Sequence, residues 1–62
     1  MKLDRRKFEI ARARSCKGMK ELEHDGIPKG TICRAMSGRN LKPETIGKIA
    51  KALGVDITEI IE

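Results

Sequence analysis

The chain has no tryptophan and no tyrosine, and its one aromatic residue is Phe8. Its core is therefore aliphatic. In 62 residues that core is also small, since a domain of this size buries only about 60% of the surface its unfolded chain exposes. Such a domain is marginally stable and gains from association. Two cysteines, Cys16 and Cys33, and one histidine, His24, are too few for a structural zinc site, which takes four ligands, usually in paired spacing. A disulfide is not expected in a cytosolic protein, so both cysteines are read as reduced thiols. A glycine-rich phosphate loop and a strand-turn-helix nucleophile are also missing. No enzymatic activity, cofactor or small-molecule substrate is expected. Glu21, Glu23, His24 and Asp25 lie close together, but on a short segment they read as a solvated face. No apolar run approaches the ~20 residues of a membrane span, and the charged N-terminus lacks a signal-peptide core. The expected location is cytoplasmic, with no membrane partner.

What the chain does have is positive charge. Fourteen Lys and Arg against nine Asp and Glu give +5 and a pI near 9.6, which favours polyanionic partners. Many small domains are basic, so charge alone does not decide the partner; the local pattern has to.

The informative stretch is Gly18 to Gly38, GMKELEHDGIPKGTICRAMSG. It reads as two short helices joined by a tight turn at Gly26. Met19 to His24 is the first of them, with Met19 and Leu22 as its buried side. The second opens at Pro28, whose ring pre-sets a helical φ and whose missing N–H costs nothing in a first turn. It closes at Gly38, the residue type that ends helices in a left-handed conformation. Pro28, Ile32 and Ala35 share one face, with Thr31 beside them. Lys29, Gly30, Cys33, Arg34 and Ser37 occupy the other. A helix with one apolar stripe and a small, basic outer face can be buried on one side and approach a phosphate-rich surface on the other.

Around this stretch the chain reads as helical throughout, a single domain over residues 1–62. Asp4 to Ser15 is a first helix, with Asp4 as N-cap and Arg12 and Arg14 suiting its negative end. Phe8, Ala11 and Ser15 form its inner stripe, which Ile10 and Leu3 are expected to widen, and Lys17-Gly18 breaks it. Arg5, Arg6 and Lys7 are either a solvated basic turn or phosphate contacts, the former being the simpler reading. Arg39 to Lys42 is a polar linker anchored by Leu41. Pro43 opens a helix to Leu53 whose Ile46, Ile49, Ala50 and Leu53 fall at i, i+3, i+4, i+7, with Gly54 as its stop and Val55 packing behind the cap. Asp56-Ile57-Thr58-Glu59 has capping-box spacing and starts a last short helix to about Ile61. Ile57, Ile60 and Ile61 are too many for one small core, so one or more of them is expected to be exposed or covered by a second subunit.

With this pattern laid out, GIPKGTICRAMSGRN, KPETIGKIAKALGV and DITEII together resemble the Cro/repressor-type (XRE) helix-turn-helix family over nearly the full length, about Asp4 to Glu62. The resemblance implies an all-α, compact five-helix domain of the lambda-repressor type, with the helix-turn-helix at helices two and three. It implies a transcriptional regulator, a repressor of minimal form without a ligand-sensing domain, that binds double-stranded DNA as a symmetric homodimer. By position, Lys29, Gly30, Cys33 and Arg34 would face base edges in the major groove, and Thr31, Arg39, Asn40 and Lys42 would meet phosphates. Arg34 has the best chemistry for a base, since a guanidinium pairs bidentately with guanine. Lys29 suits a base edge or, at a helix N-terminus, a phosphate. Gly30 allows either close backbone approach or simple tolerance in a first turn, and Cys33 is a small space-filler. The chain departs from the family pattern where Glu23 replaces a small alanine, where Met19 stands in the region of a phosphate-contacting glutamine, and where KELEHDGI is one residue short.

The alternative is a protein-interaction module, such as an antitoxin-like partner on the same fold, which exposed Ile60 and Ile61 would favour.

Overall fold

Four α-helices follow one another with no β-strand between them: α1 Arg5–Ser15, α2 Met19–His24, α3 Lys29–Met36 and α4 Pro43–Leu53. The computed structural model describes residues 1–62. They form one compact, mostly helical domain around a single cluster of 13 buried apolar residues. No helix is long and apolar enough to cross a membrane.

The core is assembled on α4. Its Pro43 start matches the sequence reading, and Ile46, Ile49, Ala50 and Leu53 are all 4% exposed or less. Each buried Ile or Leu stabilises the fold by about 1.5–3 kcal/mol relative to leaving it in water, so this stripe is the largest local contribution. α1 packs against α4 through Phe8 and Ala11. Asp4 caps α1, its carboxylate accepting from the Lys7 N–H at 3.0 Å. Ile10 does not widen the stripe. It lies roughly 200° round the helix from Phe8 and is 52% exposed.

All four helices end in the same way. The residue just past each helix is left-handed or turn-forming, and two backbone bonds close over it in a Schellman pattern. In α2 these are Ile27 N–H to Leu22 O and Gly26 N–H to Glu23 O; in α3 they are Arg39 N–H to Arg34 O and Gly38 N–H to Ala35 O. In α4 they are Val55 N–H to Ala50 O and Gly54 N–H to Lys51 O. Gly26, Gly38 and Gly54 supply the positive φ that each closure needs. In α1 the same position is held by Cys16, at φ 56°. The α1 break is therefore made at Cys16 rather than at Lys17-Gly18. Gly18 instead starts α2, its N–H donating to the Glu21 carboxylate at 2.7 Å.

The C-terminal stretch departs from expectation. Asp56 and Glu59 form the capping interactions, Thr58 N–H to Asp56 and Asp56 N–H to Glu59, but they close only a single 3-10 turn over Ile57–Glu59. The chain cannot continue helically because it is taken up by the N-terminus. Residues 1–4 run extended between the linker and the tail. Leu3 bridges to Ile61 and Lys2 to Asn40, and Asp4 N–H donates to Ile60 O at 2.8 Å. This closure buries Leu3 at 1% and Ile60 at 0% exposure, with Ile57 and Ile61 packed half-buried beside them. Ile60 is a core residue, so the expected surplus of exposed isoleucine at this end is corrected.

Candidate nucleic-acid interface

α3 is a helix of weak intrinsic propensity, with Gly, Thr, Ile and Cys in eight residues. Tertiary packing holds it: Thr31, Ile32 and Ala35 are buried, the last two completely. Pro28 is exposed and acts as the N-cap rather than as part of the apolar stripe. The exposed side is the one expected. Gly30, Cys33 and Ser37 run along its middle, with Lys29 on one flank and Arg34 on the other. Small residues thus form a floor between two basic edges. Ser37 is not free to contact a ligand, since its hydroxyl donates back to Cys33 O at 2.6 Å.

Beyond α3, the linker carries Arg39, Asn40 and Lys42, all exposed, and places Asn40 and Lys42 beside Arg34. The linker is braced from behind. Leu41 N–H donates to Met1 O at 2.7 Å, and the α-amino group of Met1 donates to Leu41 O at 3.2 Å. Arg34, Asn40, Lys42 and Thr45 line one shallow cleft, floored by Leu41. The last turn of α3 and the start of α4 therefore present their cations together.

Thr31 is the exception among the expected phosphate contacts. It is 9% exposed, because it sits on the edge of α3 that turns toward α4. It cannot lie on the outer face with Lys29 and Arg34.

Electrostatics single out this side. No acidic residue occurs between Asp25 and Glu44, and Lys29, Arg34, Arg39 and Lys42 carry four charges of the chain's net +5. The ion pairs of the protein, Arg5–Glu9, Arg14–Glu59 and Lys17–Asp25, all lie elsewhere. These four cations are therefore exposed and unneutralised. At the start of α1, Arg5 is engaged by Glu9 at 3.8 Å, and Lys7 donates to Ile61 O at 3.2 Å. Arg6 alone of that trio has no partner.

The departures noted in α2 have structural readings. Glu23 is exposed and does not wedge between α2 and α3, which pack through Leu22 at 0% exposure. Met19 is half-buried against the core. The N-terminus of α2 already holds a carboxylate, that of Glu21 on the Gly18 N–H, so an incoming phosphate there would have to displace it. Both cysteines are exposed free thiols, and Cys33 lies on the small floor of α3.

The Gly30 and Arg34 positions were legible from helical periodicity. The bracing of the linker by Met1 and Lys2 was not, because an isolated bridge leaves no period in the sequence. No family model matches the chain, and no curated protein or solved structure compared with it is a match.

Proposed function

We propose that the chain is a sequence-specific transcriptional regulator, a repressor, that binds double-stranded DNA. In this reading α2, the turn at Gly26 and α3 act as a helix-turn-helix of the Cro/repressor type, and α3 enters the major groove. The observation that carries it is the exposed surface from Lys29 to Lys42, which holds four unpaired cations, no acid, and a floor of Gly30 and Cys33 that admits close approach. Lys29, Gly30, Cys33 and Arg34 face base edges, and Arg39, Asn40 and Lys42 meet the flanking phosphates. One short reading helix per chain spans too few base pairs for selectivity, so the active form is a two-fold dimer with half-sites about 34 Å apart. With Ile60 buried, no surplus of exposed isoleucine at the C-terminal end supports that dimer. The interaction-module alternative loses the same support.

Selection of bound sites from random duplex DNA tests this. Enriched sites should show a dyad with half-sites about 10 bp apart. If a dimer engages about eight phosphates, log K should fall with log salt at a slope near −7. A flat salt response, or no enriched sequence at low salt, would count against DNA as the partner.

A further inference from the structure

The helices pack in two groups. α1, α4 and the C-terminal turn pack on one another, and α2 packs on α3. Both groups contribute to the one apolar core, α2–α3 through Leu22, Ile27, Ile32 and Ala35. Apolar burial is strong but non-directional, so it holds the groups together more firmly than it fixes the angle between them. No backbone hydrogen bond joins α2 or α3 to α1, α4 or the C-terminal turn. A directional link between the groups must come from a side chain.

One side chain makes it. The Lys17 ammonium donates to the Asp25 carboxylate at 2.7 Å and to Ala52 O at 2.6 Å. Asp25 is the C-cap of α2, immediately before the Gly26 turn, and Ala52 lies in the last turn of α4. Val55 and Gly54 N–H close that helix on Ala50 O and Lys51 O, so Ala52 O is left over for an outside donor, at the end of the helix where a cation is favoured. The lysine is itself held from α1. Cys16 in its left-handed conformation turns the chain back, Lys17 N–H donates to Arg12 O at 3.1 Å, and Arg12 Nε donates to Lys17 O at 3.3 Å. The Lys17–Asp25 side chains are 31% and 32% exposed, against 44–69% in the other two ion pairs. Two-thirds covered and doubly bonded, this is the ion pair of the protein best placed to fix a geometry, whereas exposed pairs contribute little.

We propose that Lys17 is a positioning residue, whose ammonium sets the angle at which the α2–α3 pair stands on α1 and α4. The aiming of α3 at a major groove by this clasp rests on the function proposed above; the angle itself does not. Lys48 and Lys51 line the same cleft and are in no ion pair. Removing Lys17 therefore leaves the cleft cationic and takes away the geometry.

Two arms test this on the full chain, with Lys17→Met as the variant and Lys51→Met as a control that loses the same charge from the same cleft. In the first, residual dipolar couplings of the free protein report the orientation of α3 relative to α4. Lys17→Met should change that angle while each group keeps its internal geometry, and Lys51→Met should not. In the second, both variants bind a selected and a scrambled duplex well below their melting temperatures. Lys17→Met should lose about tenfold on the selected duplex, the scale of one mismatched base pair, and far less on the scrambled one. Lys51→Met should change both alike. Asp25→Ala should shift the angle in the same sense, and the double variant with Lys17→Met should be no worse than Lys17→Met alone, as one shared interaction requires; if Lys17→Met does not fold, Asp25→Ala carries both arms. If the parent binds no duplex, the DNA reading fails alone and the orientation arm decides the clasp. An unchanged angle overturns the positioning role, and equal losses on the two duplexes overturn the aiming of α3.

Discussion

Gly30→Ala separates what the fold wants from what the interface wants. Gly30 is the second residue of α3 and its backbone is not in the left-handed region. A Cβ built there meets nothing within 4 Å, so the substitution introduces no clash. Glycine in a helix is less favourable than alanine by about 0.5–1 kcal/mol, and in a domain of this size that corresponds to a melting temperature higher by about 2–8 °C. Affinity should move the other way. If α3 lies in a major groove with its Gly30–Cys33 floor against the bases, a methyl at that floor pushes the helix out and loses about 1–3 kcal/mol per half-site, the scale of one mismatched base pair. Thermal unfolding by circular dichroism reads the first effect, and fluorescence anisotropy on a selected duplex reads the second. A variant that melts higher and binds as tightly as the parent would refute the close approach. Gly30 would then be only a residue tolerated in a first turn. A variant that melts lower would show that α3 is held differently from the arrangement described here.

Other substitutions divide the same surface. Arg34→Ala should cost about 1–3 kcal/mol on the best site and relax preference at one position of each half-site, whereas Lys42→Ala should weaken all sequences alike and lower the salt slope by about one unit per subunit. The check is both variants against a matched and a singly substituted site at two salt concentrations, and equal losses for Arg34→Ala on the two sites would make Arg34 a backbone contact. Ile60→Ala should cost about 2–5 kcal/mol in urea unfolding, because it empties a fully buried position; that is a large share of the roughly 3–9 kcal/mol a 62-residue domain is expected to have. Cys16→Gly should stabilise by about 1 kcal/mol, since Cys16 holds a left-handed φ of 56° that glycine adopts without strain, and a lowered melting temperature would contradict that. Asp4→Ala removes the α1 cap and should cost about 0.5–2 kcal/mol by the same measurement.

The parts of the fold visible in the sequence were those written in a period or in a terminator. Ile46, Ile49, Ala50 and Leu53 announce α4, and Gly26, Gly38 and Gly54 mark three of the four helix ends. Cys16 carries no such mark, because it takes a glycine's conformation without being one. The burial of Ile60 is hidden for a different reason: it is made by residues at the far end of the chain, through the Leu3–Ile61 bridge, and no local pattern reports such a contact. Thr31 shows the same limit within the candidate site. Its place in the helix put it between the apolar stripe and Arg34, and only the packing of α4 decided that it faces inward.

The division of α3 into two faces explains why its outer residues are free to serve binding. Thr31, Ile32 and Ala35 fasten the helix to the core, Pro28 starts it, and the Gly38 closure ends it. None of these tasks falls to Lys29, Gly30, Cys33 or Arg34. The linker follows the same logic, since Leu41 anchors it and backbone bonds to Met1 hold it, leaving Arg39, Asn40 and Lys42 uncommitted. Cations placed in this way must be tolerated next to one another. Neither side-chain bonds nor neighbouring carboxylates compensate them, so each keeps its charge available to a ligand. A fold under selection for stability alone would gain by setting an acid among them or by replacing Gly30. In the function proposed above, both features serve a polyanion arriving against a pre-positioned helix.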